Sequence, residues 1–266
     1  MIADKNRIKF LWIVLLVFFF QTVEQANAQQ QKEVYDQSQF WISINSTLRL
    51  NDKFGLMGDF HIRRNDFIKE PDFYFLRLGG VYWLDNQFSF AGGVATLWNA
   101  TETNDGLSFS LEKRIYQQVL WRNSIRKVVF MQRIRTEQRW QQVLNNDGSV
   151  NRVRFSNRVR FLLSWNIKVF ENEKLPKLVV SDEVLFHFGS EITYNTFDQN
   201  RLFVGINHRL SKTWTFDFGY MLVYQQRYSG YQYDKNHTLR LFFYYSPDFR
   251  KHKNKDLPHY PIGGSE

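Results

Sequence analysis

Arginines recur at alternate positions in two neighbouring stretches of this chain. In Val128–Trp140 they are Arg133, Arg135 and Arg139, with Glu137 between the last two; in Asn151–Ile167 they are Arg152, Arg154, Arg158 and Arg160. Glu112 and Arg114 precede them and Glu183 follows. Guanidinium rows of this kind can do one of two things. Interleaved with carboxylates they form a rigid ion-pair network through charge-assisted hydrogen bonds. In excess around a wet passage they bind or select anions, as rings of Arg or Lys do in pores. Residue types alone leave both readings open.

Catalysis has weaker material. Ser181, Glu183 and His187 share one face of Lys177–Phe188, which raises a lipid hydrolase as a possibility. A nucleophile and its base must come within about 3 Å, whereas i and i+6 on a strand lie about 20 Å apart at about 3.3 Å per residue. No histidine falls in an H-E-x-x-H motif, and no phosphate loop or G-x-S-x-G is present. The absence of cysteine excludes disulfides, thiolate metal sites, a cysteine nucleophile and a lipid-bearing N-terminal cysteine. The expectation is no enzyme, no metal and no cofactor.

The elements that carry the arginines are strands. Opposite Arg152, Arg154, Arg158 and Arg160 stand Val153, Phe155, Val159, Phe161, Leu163 and Trp165. A two-residue period means a ribbon that is apolar on one side and basic on the other. The same alternation runs through Trp41–Leu50, Phe54–Arg64, Phe73–Leu84, Gln87–Trp98, Leu107–Trp121, Lys177–Phe188, Asn200–Leu210, Thr213–Gln226 and Asn236–Ser246. Glycines such as Gly79 and Gly80 fit bends or close backbone approach. These segments number eleven, but a barrel with both chain ends on one side needs an even count, so the expectation is twelve strands, with ten as the fallback. The connections are expected to alternate short and long, with Asn99–Gly106 and Gly189–Gln199 among the long ones. In the hairpin of the two arginine stretches, loop length suggests that Arg139 meets Arg152, Glu137 meets Arg154 and Arg133 meets Arg158.

The flanks bound the compartment. Lys5, Arg7 and Lys9, the apolar run Phe10–Phe20 and Ala26-Asn27-Ala28 have the layout of a cleaved export signal over residues 1–28. Residues 29–39 then form a polar lead-in, 40–246 the strand-rich unit and 247–266 a basic disordered tail. A net charge of +9 raises nucleic acid as a partner. Export and the alternation of arginine with apolar residues argue against it.

An exported all-β chain leaves two architectures. A soluble periplasmic β-rich binding protein would turn its apolar faces to a core; a transmembrane antiparallel up-and-down β-barrel would turn them to lipid and its charges to the lumen. Runs of ten to sixteen residues exceed the five or six usual in a sandwich and meet the nine to eleven needed to span. Trp140, Trp165, Trp214 and Tyr245 near strand ends suit interfacial girdles. The reading is therefore an outer-membrane barrel of a Gram-negative bacterium. Its partners would be membrane lipid and, if the lumen is open, small anionic solutes.

Glu112–Gln118, Gln132–Trp140, Arg152–Phe161, Asp182–Val184 and Asp198–Gly205 together resemble the bacterial domain-of-unknown-function family numbered 2490, over roughly Phe40 to Ser246. The resemblance implies an exported outer-membrane barrel and supplies no activity.

Overall fold

The structure, a computed structural model, describes residues 31–250 apart from Glu173, Thr193 and Tyr194. The export-signal reading of residues 1–28 lies outside them, as do residues 251–266 of the tail. Eleven strands are described: β1 (Glu33–Arg49), β2 (Phe54–Asn65), β3 (Glu70–Trp83), β4 (Phe88–Thr103), β5 (Gly106–Ile125), β6 (Val128–Leu144), β7 (Val150–Ile167), β8 (Lys177–Phe188), β9 (Phe197–Arg209), β10 (Trp214–Gln226) and β11 (Gln232–Tyr245). They close into a barrel in sequence order, each neighbour pair antiparallel except the last. β1 and β11 run parallel, with Phe40 level with Leu239 and Ile44 with Phe243.

That closing pair corrects the expected count of twelve. An odd number closes without an open edge because the last seam is parallel, so β1 enters at one mouth and β11 leaves at the other. The mouth where β1 begins is called proximal here, the opposite one distal. The expected alternation of short and long connections is also absent. Asn99–Thr103 continues β4, leaving a two-residue turn at Asn104-Asp105, and the two longest connections, 168–176 and 189–196, open at opposite mouths. Polar composition had made strand ends look like loops. Two boundaries move for the same reason. Glu33–Gln39, read as a lead-in, is the first part of β1. At the start of the tail, Phe249 N–H donates to the Arg49 carbonyl and Arg250 pairs with Asp248 and Asp52.

The pleat sorts the side chains. Outward positions are apolar and exposed: Ile44, Phe60, Leu78, Val94, Ile115, Ile134, Phe155, Phe161, Val204 and Phe218 follow one another around the wall. Near the distal ends, Phe88, Trp121, Phe130 and Trp165 form an unbroken chain of ring contacts across β4 to β7, with centroids 5.6–6.4 Å apart. Trp214 and Tyr245 meet at 4.8 Å on β10 and β11. Towards the proximal side, Trp140 packs on Phe155 at 5.3 Å.

Inside, apolar packing fills the distal part and runs up one side of the barrel. Met57, Val81, Trp83, Ala91, Tyr116 and Leu120 form one buried cluster; Trp41, Val179, Phe203, Met221, Val223, Phe242 and Tyr244 form another. Arg49 lies over the Trp83 ring at 4.3 Å and donates to the Asp52 carbonyl at 2.6 Å. Tyr116 reaches across to the wall at Gly79, where a Cβ would sit 2.1 Å from its hydroxyl; Gly79 is itself level with Gly93. This position needs glycine because another side chain occupies the space a methyl would take.

Candidate functional site

The arginine rows meet on the inner wall from β5 to β9. β6 and β7 pair so that Glu137 is level with Arg158, Arg139 with Ser156, Arg135 with Arg160 and Arg133 with Leu162. The register inferred from loop length is therefore four residues out. β6 runs on to Leu144 and β7 starts at Val150, so the connection is a five-residue loop closed by an Asn145 N–H to Ser149 carbonyl bond, with a bulge at Val143/Leu144. The true register separates like charges that the guessed one set face to face, which cross-strand pairing disfavours.

Where arginines do oppose each other, a carboxylate lies between them. Arg114 is level with Arg139, and both donate to Glu112 Oε1, at 2.6 and 2.7 Å. Glu137 receives Arg158 Nη2 at 2.5 Å and Arg160 Nη1 at 3.0 Å, with Arg114 at 3.6 Å and Arg135 at 3.8 Å. Glu183 receives Arg133 at 2.6 Å, Arg160 through both Nε and Nη2 at 3.0 and 2.9 Å, and Arg201 at 3.4 Å. Arg135 also forks onto the Gln118 side-chain oxygen at 3.0 and 2.8 Å. Glu112, Arg114, Arg133, Arg135, Glu137, Arg139, Arg158, Arg160 and Glu183 thus form one continuous buried network.

Two of the expected lumen residues stand elsewhere. Arg152 is half exposed at the proximal mouth, and Arg154 lies beside it; both bind Glu191 of the 189–196 connection, at 2.7 and 3.0 Å. Arg154 also covers the Tyr228 ring at 3.8 Å. The alternation of β7 continues past the network into the rim, where the inward side opens to solvent, so parity alone could not mark the boundary.

Two aspartates that the alternation did not mark as inward are brought to the interior by bulges. Leu185 is level with Gln199 and Phe186 with Phe197, which leaves Asp198 as the extra residue. It turns inward beside Gln199, 3.3 Å from Arg158 and 3.8 Å from His187. In β3 the step from Arg63–Phe73 to Arg64–Pro71 skips Asp72, whose carboxylate accepts from Gln39 at 3.4 Å. A bulge re-aims a side chain against the period of the strand, so strict alternation hid both aspartates. Pro71 beside the second bulge was the one visible signal, since proline within a sheet is confined to bulges and edges.

Ser181, Glu183 and His187 do not assemble a nucleophilic site. Ser181 is level with Ser164 on one side and Phe203 on the other. Both Glu183 oxygens are held by arginines, and the carboxylate near His187 is Asp198. Farther round the barrel, Arg77 pairs with Asp59 and Arg240 with Asp217.

At the proximal mouth the side chains leave a cavity of about 330 Å³, bounded by Trp41, Arg63, Glu112, Arg114, Arg139, Asn236 and their neighbours. Below it, Arg135, Arg160, Leu120, Trp83 and Phe242 have no accessible surface at all. A water-filled passage would leave its lining accessible, so the wall here is in contact with other side chains.

A closed β-barrel with an apolar exterior and a charged, packed interior is the class defined by this fold and site. The chain belongs to the family described as Protein of unknown function (DUF2490), whose model matches residues 38–234. Among solved structures it is similar to the beta domain of the Bordetella autotransporter Brka, at 9% identity and a TM-score of 0.41 over 64% of this chain and 75% of that one. It is similar also to the NanC porin, at 10% identity and a TM-score of 0.42 over 69% and 79%. No curated protein matches the chain.

Proposed function

We propose that this chain is an integral outer-membrane barrel of a Gram-negative envelope, with a lumen closed by its own side chains. It acts as a structural or surface protein rather than as an open anion channel or a hydrolase. One observation carries the reading: an apolar, exposed outer wall encloses buried ion pairs and apolar clusters, among which Arg135, Arg160, Leu120, Trp83 and Phe242 have no accessible surface. In water such a belt of Ile, Leu, Val and Phe would far exceed the apolar patch a soluble monomer exposes; against hydrocarbon it is the required surface. The arginines then serve as interior filling of a narrow barrel, where space is limited.

Purified protein reconstituted into planar bilayers is expected to insert without passing steady current, even in concentrated chloride. Discrete conductance steps that favour chloride over potassium would overturn the closed lumen. Carbonate extraction of cell membranes addresses location separately: the chain should stay with the membrane, and its release would return it to the soluble periplasm.

A further inference from the structure

We infer that the proximal cavity is a binding site for a small, hydroxyl-rich anion of the size and chemistry of a hexuronate. The inference rests on the closed-lumen reading, since a dead-end cup holds a ligand where an open pore would pass it.

Charge comes first. Among the described residues the buried charged groups are twelve arginines and six carboxylates. Five arginines and three carboxylates border the cavity itself. Arg114 and Arg139 both line the cavity and share the single Glu112 carboxylate, so each carries more positive charge than that one partner offsets, and an added anion is favoured there. The arginines nearest the mouth are placed to receive it. Arg114, Arg139, Arg158 and Arg201 keep 5–7% of their surface accessible, whereas Arg135 and Arg160 beneath them keep none. Each guanidinium carries five N–H donors in a planar fork that matches a carboxylate.

The rest of the lining specifies what the anion carries. Eight amide side chains border the cavity, Gln141, Gln199 and Asn236 among them. An amide offers a donor and an acceptor side by side, as a sugar hydroxyl does in return. Asn236 supplies the independent sign of a missing ligand. It is 4% exposed, it borders the cavity, and its side-chain oxygen has no hydrogen-bond partner among the described residues. A buried acceptor without a donor is destabilising, and a ligand hydroxyl would satisfy it. A bare inorganic anion would leave most of this lining unused, because about 330 Å³ lies within the size range of organic-ligand sites, roughly 300–1,000 Å³.

The test is calorimetric titration of the intact detergent-purified barrel with D-glucuronate, D-galacturonate, D-glucose and sulfate. A uronate should bind saturably, and glucose at least about tenfold more weakly, the loss of one charge-assisted contact. Asn236→Ala should weaken uronate binding without lowering the unfolding midpoint of the ligand-free barrel. Arg139→Gln should weaken it further; if that variant fails to fold, Asn236→Ala still decides. Equal binding of glucose and glucuronate, binding of sulfate without either uronate, or no saturation by any uronate would overturn the site. The outcome is separable from the closed-lumen reading. A conductance that glucuronate blocks sinks the closed lumen and keeps the site; a silent bilayer with no uronate binding does the reverse.

Discussion

Glu137 on β6 stands level with Arg158 on β7, and its Oε2 accepts both Arg158 Nε at 2.8 Å and Nη2 at 2.5 Å. Its other oxygen takes Arg160 at 3.0 Å. One carboxylate therefore anchors two arginines of the neighbouring strand and, through Arg114 and Arg135, touches two more. The polar interior of β5 to β8 converges on this residue.

Replacing Glu137 by Gln should then destabilise the barrel severely. Removing one partner of a buried pair leaves the other charge uncompensated, at about 3–5 kcal/mol, and here several arginines lose a counter-charge together. Urea unfolding in lipid vesicles, followed by the gel-mobility shift between folded and unfolded forms, should show a much lower midpoint. Glu102→Gln, on the proximal end of β4 outside the network, should leave the midpoint in place. Equal midpoints for both variants would mean the network contributes little.

The close approach at Gly79 gives a second contrast within one dipeptide. A Cβ at Gly79 would meet the Tyr116 hydroxyl and the Gly92 carbonyl, whereas a Cβ at Gly80 meets nothing within 4 Å. Gly79→Val should lower the unfolding midpoint, by the about 1–3 kcal/mol typical of overpacking, while Gly80→Ala should be near neutral. Tyr116→Phe combined with Gly79→Ala should recover part of the loss, because it removes the atom in closest conflict. A Gly79 variant as stable as the Gly80 one would place Tyr116 elsewhere.

These elements differ in how far the sequence revealed them. The apolar and basic faces of β6 and β7 were legible because a period of two has only one structural meaning over so many residues. The in-and-out placement of Arg158 and Phe161 followed directly. Register was not legible: the polar segment after Trp140 reads equally as loop or as strand continuation, and only cross-strand hydrogen bonds place Glu137 against Arg158 rather than Arg154. Asp198 and Asp72 were hidden for a different reason, since a bulge inverts the very alternation by which inward residues are recognised. The strand count of twelve failed on an assumption about chain ends, which the parallel β1–β11 seam does not obey.

At the rim, the Glu191 clamp should respond to pH. Hydrogen bonds from Arg152 and then Arg154 hold its carboxyl below the ordinary glutamate value of 4.5. A depressed folded value contributes stability that is present above 4.5 and is lost as pH falls through the folded value. The 189–196 connection should therefore loosen only in acid. The Ile192 amide, which donates to the Gly189 carbonyl, reports on it. Its hydrogen-exchange protection, corrected for intrinsic rates, should drop in that range, and in Glu191→Gln it should be low and flat with pH. Protection that falls identically in both proteins would assign the change to another group.

The final prediction concerns depth. Phe161 faces outward near the middle of β7 and is 44% exposed, while Val150 faces outward at its proximal end and is 50% exposed. By accessibility alone the two should tolerate arginine equally, and on a water-bathed sheet both changes would be mild. In a bilayer they cannot be equivalent. A guanidinium at the hydrocarbon midplane costs about 2–4 kcal/mol, and near the interface about 0–1 kcal/mol. Phe161→Arg should thus lower the unfolding midpoint in vesicles far more than Val150→Arg does. Val204→Arg, outward and mid-strand on β9, should follow Phe161→Arg, because depth rather than local packing sets the effect. In short-chain detergent micelles, which thin the apolar zone and let water approach, the gap should narrow. Equal, small effects at all three positions in lipid would show that the belt does not lie in hydrocarbon, whatever its composition.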